Sequence, residues 1–196
     1  MKLGSGEGGK LGGISSPASQ PTTFPALIAV ALTLASCRHP QSLSQNLALA
    51  NKVAPRIVLL FYESPDLLLV PERRNLQLPE SPAAALSEVV RELLKGSANT
   101  SVPRSLPADT VLRGAYLLPD GTAFVDLGGP TLTQGWGTGS HEELMAVYSV
   151  VQTVMTNFPE AKRVRLLVNG EPAETLAGHI SLARPLTPLK GTVAGY

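Results

Sequence analysis

Few residues of this chain stand at spacings that could do chemistry. The three histidines, His39, His141 and His179, are far apart in sequence. None has a partner four residues away, the spacing by which a helix turns two imidazoles toward one zinc ion. Cys37 is the single cysteine, so the sequence holds neither an intrachain disulfide nor a thiolate cage. Asp66, Asp120 and Asp126 fall at turns or strand ends, where aspartate is favoured for backbone reasons, and no carboxylate pair for hydrolysis is indicated. With no nucleophile in a strained turn and no acid–base set to name, neither an enzyme nor a metal or other cofactor is expected. The glycine-rich loop from Gly128 to Ser140 precedes a helix, whose free N–H groups could hold an anion. No lysine follows it, and a plain connection is the simpler account. Ser140 and Glu143 then read as a capping box.

Contacts with a partner are the remaining chemistry. Trp136, in that loop, could anchor a protein or stack on a sugar ring, although packing over the sheet is the favoured alternative. The turn at Asp120 and Gly121 is a second candidate. Arg73 and Arg74, with Arg56, Arg104 and Arg113, could form a basic surface for an anionic glycan or an acidic partner, but a solvated face is the stronger reading. The formal charge is +1. Without Lys2, Lys10 and Glu7, which precede Cys37, 14 basic and 14 acidic residues remain, so nucleic acid is a poor partner.

Cys37 has its own explanation. Residues 1 to 23 are rich in Gly, Ser, Pro and Thr, a composition that cannot bury enough apolar surface to order itself. The apolar run from Phe24 to Ala35 is 12 residues, short of the ~20 that span a bilayer as a helix and of signal-peptide length. It ends in Leu34, Ala35, Ser36 and Cys37, which resembles the bacterial lipobox. That resemblance implies cleavage before Cys37 and lipid on its thiol, with an uncleaved anchor or a buried helix as the alternative. A polar tether over 38–53 would hold the following domain off the membrane, at ~3.3 Å per extended residue.

The elements that must position the candidates follow from periodicity. Arg56 to Tyr62 is a buried strand, and the run from Leu67 to Gln77 is a second, made an edge or split by Pro71. Ser81 and Pro82 open a helix with a 3.6-residue period that Lys95 and Gly96 close. Val111 to Leu118 and Thr122 to Leu127 flank Asp120–Gly121, a strong hairpin signal. On the helix that follows, Leu144, Val147, Tyr148, Val151, Val154, Met155 and Phe158 share one face, with Ser149, Gln152, Thr153 and Thr156 opposite. Pro159 ends it, and Val164 to Val168 is a last strand. Strand, strand, helix, hairpin, helix, strand is an α+β arrangement, a small mixed sheet with helices covering one face.

The run from Ala54 to Leu189 resembles the GerMN domain of GerM-type sporulation and germination proteins. Four segments carry the likeness: IVLLFY at Ile57 to Tyr62 with LLLVPERR at Leu67 to Arg74; LLKG at Leu93 to Gly96; LRGAYLLPDGTAFVDLG at Leu112 to Gly128; and Glu143 to Leu186. The resemblance implies a fold like the ring-building motifs of secretion and sporulation complexes. It further implies a non-enzymatic, often lipid-anchored extracytoplasmic interaction module, with self-assembly by analogy, and His179 bonding locally within its AGHI segment. The expected organisation is a signal segment (1–37), a tether (38–53), a GerMN-like domain (54–189) and a tail (190–196). The expected partners are envelope proteins or, alternatively, peptidoglycan.

Overall fold

The computed structural model describes residues 52 to 195, so the expected signal segment, Cys37 and nearly all of the tether lie outside the described residues. Strands β1 (Val53–Glu63) and β2 (Leu69–Pro79) form an antiparallel pair that is a sheet of its own. Helix α1 (Pro82–Leu94) follows, then the hairpin of β3 (Val111–Leu117) and β4 (Thr122–Gly128). A short α2 (Pro130–Gln134) and the long α3 (Ser140–Asn157) lead to β5 (Arg163–Val168) and a two-residue β6 (Glu171–Pro172). The second sheet has the order β3-β4-β5-β6, with β4 and β5 parallel across the helical crossover and the other pairs antiparallel. The α+β class stands. No described helix is long and apolar enough to cross a membrane.

One face of the four-stranded sheet carries Ala115, Ala123, Val125, Leu127, Val164 and Leu166, all buried. Against it α1 places Ala85, Leu86, Val89, Val90 and Leu93, and α3 places Met145, Val147, Val150, Val151 and Val154. Such stripes must find a sheet to cover. Asp120 and Gly121 make the expected turn: Asp120 accepts the Thr122 N–H at 2.9 Å, and Gly121 takes φ +83°.

The α3 reading needs two corrections. Ser149 and Thr153, expected on the solvent side, are buried. Thr153 faces the outer edge of β1, whose N–H groups would otherwise lack partners. The Phe61 N–H donates to Thr153 Oγ1 at 3.0 Å. Asn157 completes the cover, accepting the Leu59 N–H at 2.9 Å and donating to the Leu59 carbonyl at 2.7 Å. Four residues apart, Ser149, Thr153 and Asn157 form a polar seam within an otherwise apolar helix. The first residue of α3 is Ser140, so it caps nothing; Gly139 is the N-cap and no side chain closes the box.

At the far edge, Pro71 stands opposite Phe61 within a continuous β2. Residues 190–195, expected as a tail, pair with the start of that strand. Leu69 donates its N–H to the Thr192 carbonyl at 2.7 Å and accepts from Ala194 at 3.0 Å, and Thr192 and Val193 are buried.

Candidate functional site

The residues singled out from sequence are not brought together. Asp120 lies in the turn before β4, and Trp136 follows the short helix after it. Arg73 and Arg74 belong to the other sheet.

Each has a local setting. Trp136 is half-buried and packs on the core, the favoured of its two readings. Asp120 bonds Thr122 through backbone and hydroxyl and reaches Arg163 Nη2 at 2.6 Å. The Thr122 N–H, then its hydroxyl, and then Arg163 hold its carboxyl below the usual range. Arg73 is exposed with no ion pair among the described residues. Arg74 points inward, donating to Glu72, to Glu92 Oε1 at 2.8 Å and to the Gly96 carbonyl at 3.2 Å. Of the other arginines, Arg113 pairs with Asp126 at 3.4 Å, Arg104 caps the Leu94 carbonyl at 2.9 Å, and Arg56 lies over Phe158. A shared basic surface therefore does not form, because strand alternation and local acceptors divide these cations.

Two polar centres were missed. Glu72 sits among Arg74, Ser97 Oγ and the Ala98 N–H. Burial pushes its carboxyl up, but the Ser97, Ala98 and Arg74 bonds outweigh this and hold it low. Beside it the Tyr62 hydroxyl donates to the Gly96 carbonyl at 2.9 Å, its pKa raised by burial. The second is Glu143, fully buried. Its Oε1 accepts the N–H groups of Leu176 and Ala177, both at 2.8 Å, and its Oε2 accepts that of His179 at 2.7 Å. His179 Nδ1 lies 3.1 Å from the same oxygen. Burial pushes this carboxyl up, yet the backbone donors together hold it below the usual range. His179 thus bonds across 36 residues rather than locally. His141, in the first turn of α3, is half-buried with Nε2 2.9 Å from Glu63 Oε1. The signal for Glu143 was present: Glu143, Val147, Val151 and Val154 share one stripe, so its carboxylate had to point inward. Among the described residues no group of three His, Cys, Asp or Glu gathers as a metal site.

The outer face of the four-stranded sheet lies opposite both long helices. Tyr116 is 58% exposed there. Its ring lies along its own strand over Gly114, where a Cβ would come within 2.8 Å of the hydroxyl oxygen. Phe124 faces Tyr116 across the hairpin, and Arg165 faces Phe124 from β5. Arg113, the bulge residue of β3, reaches over Gly128. This face offers a flat aromatic ring with guanidinium groups around it.

A family model described as Germane, sporulation and spore germination, matches residues 59–174, more than half of the chain. The chain belongs to the Germane family. The resemblance to the GerMN domain is thereby established. Among solved structures, a candidate lipoprotein from Clostridium perfringens is similar, with a TM-score of 0.49 at 16% identity, over 69% of this chain and 87% of that one. The first GerMN domain of the Bacillus subtilis sporulation protein GerM gives a TM-score of 0.48 at 20% identity, over 71% and 96%. The tandem GerMN domains of the same protein give 0.45 at 22% identity, over 72% of this chain and 46% of that one, so the chain spans about half of the tandem's length. A search among curated proteins finds no match.

Proposed function

We propose that this Germane-family chain is an extracytoplasmic protein, held at a membrane by lipid on Cys37, whose domain is a non-catalytic protein-interaction module of an envelope or sporulation-related assembly. The observation that supports it is the outer sheet face, where Tyr116 remains exposed while both long helices pack on the opposite side. Exposed aromatics ringed by arginines are what buried interface centres are made from. The lipobox-like Leu34 to Cys37 supports the address.

A photo-crosslinking amino acid at position 116, in living cells, tests the module. A discrete adduct to an envelope protein is expected, and absence of any protein adduct with the chain correctly exported would overturn it. Sedimentation with purified sacculi separates the peptidoglycan reading. Retention abolished by Tyr116→Ala would move the assignment to glycan, for which the flat ring over Gly114 is a suitable stacking platform. Metabolic palmitate labelling tests the anchor independently: label on the wild type and none on Cys37→Ser is expected.

A further inference from the structure

A cleft of about 420 Å³ lies between the C-terminal end of α1 and the start of β3. Three cations line it, Arg91, Lys95 and Arg104, and no carboxylate does. Its apolar wall is Leu94, Val111 and Leu112. Thr110 also lines it; this residue is 6% exposed and its Oγ1 has no hydrogen-bond partner.

Each cation has a local, solvated partner, that of Arg104 being the Leu94 carbonyl at 2.9 Å. Arg91 pairs with Glu88 and Lys95 with Glu92 on the surface of α1, and such exposed pairs exchange at little cost. The shape of the ligand follows from the strand edges. The edge of β1 is satisfied by Thr153 and Asn157, and β2 is blunted by Pro71 and paired with the C-terminal segment at Leu69. β6 has two residues. Among the described residues β3 is the remaining outer strand of useful length, 7 residues, and the cleft opens at its start.

We propose that this cleft binds an extended, acidic and partly apolar peptide segment of a partner protein, its carboxylates meeting Arg91, Lys95 and Arg104 and its apolar side chains meeting Leu94, Val111 and Leu112. Main-chain pairing to a strand edge with side-chain pockets beside it is an established way to hold a peptide. The proposal rests on the interaction-module reading and gives that module a second surface, distinct from Tyr116.

The test is selection of a displayed random heptapeptide library on the purified full chain, followed by fluorescence anisotropy with the enriched peptides. Enrichment of sequences combining Asp or Glu with aliphatic residues is expected. Binding should weaken at least about tenfold on Arg91→Glu and on Val111→Asp, which place like charge beside the peptide. Both positions are exposed, so circular dichroism should show an unchanged fold. Tyr116→Ala should leave peptide affinity unaltered. Enrichment of no acidic class, or equal affinity for wild type and both variants, overturns the cleft while leaving the Tyr116 crosslink to stand or fall by itself. Saturable binding of vesicles containing phosphatidylglycerol, lost on the same two variants and with no peptide selected, would also overturn it.

Discussion

Replacing Glu143 by alanine should be among the most damaging single changes in the domain. The substitution leaves three N–H groups, of Leu176, Ala177 and His179, without their acceptor. Hydrogen bonds to a charged group contribute about 1.5–3 kcal/mol each before desolvation of the carboxylate is deducted. The depressed carboxyl pKa shows that the donors outweigh that desolvation. A net loss of about 2–4 kcal/mol follows, a large share of the ~5–15 kcal/mol that holds a domain folded. Glu143→Gln keeps the shape but turns an NH₂ toward one set of donors, so about half the loss is expected. The pH dependence separates charge from shape. A carboxyl whose folded pKa lies below its unfolded value contributes stability that is present above the unfolded value, ordinarily 4.5, and is lost as pH falls through the folded one. The gap between wild type and Glu143→Gln should therefore be full at neutral pH and shrink in acid. His179→Ala keeps the backbone donor and removes a ring whose side chain is 41% exposed, so it should cost no more than about 1 kcal/mol. Urea unfolding at a series of pH values measures all of these, and hydrogen exchange at Leu176 reports the loop directly. A cost for Glu143→Ala below about 1 kcal/mol at neutral pH, or a gap that persists unchanged in acid, would refute the reasoning.

Four further outcomes are expected. Thr153→Val strands the Phe61 N–H and should cost about 1–3 kcal/mol, whereas Ser149→Ala removes a buried hydroxyl with no partner and should be neutral or slightly stabilising in the same assay. Gly121→Ala places a methyl group 2.8 Å from Lys162 Cγ and 3.0 Å from the Glu160 carbonyl oxygen at φ +83°, and thermal unfolding should show a loss of about 1–2 kcal/mol. Truncation after Leu189 removes the buried Thr192 and Val193 and the pairing at Leu69; urea unfolding should show a loss of about 1–3 kcal/mol.

Elements whose signals are local were readable. The Asp120–Gly121 turn, the Ser81–Pro82 entry and Gly96 exit of α1, and the stop at Pro159 each depend on residues within a few positions, and each stands where its signal put it. Signals that depend on a distant partner were misread. Ser140 and Glu143 fit the spacing of a capping box, but the same carboxylate serves three N–H groups more than thirty residues away. Local spacing cannot reveal that competition, since a carboxylate bonds whichever donors the tertiary fold leaves most in need.

The same limit explains the seam on α3. Polar residues at 149, 153 and 157 within an apolar helix look like its wet side, because burying a hydroxyl or an amide is unfavourable unless it is bonded. Here Thr153 and Asn157 are bonded to backbone, not to water, since β1 and β2 form a separate sheet whose outer edge on β1 must end against something that offers donors and acceptors. A helix able to finish a strand edge must carry polar groups at a repeat of four, and that repeat is what α3 shows. The candidate contacts suffered the opposite error. Trp136 and Arg74 drew attention by residue type, yet both are half-buried, one on the core and the other by acidic partners. Tyr116 was not among the candidates. The hairpin register puts Gly114 and Tyr116 on the outer face and Ala115 and Leu117 on the inner one, and the bulge at Arg113 returns Leu112 to the inner face. A one-residue shift exchanges the two faces of a strand, so alternation counted from the buried side of Leu112 would assign Tyr116 to the wrong face, and spacing alone does not reveal the bulge between them.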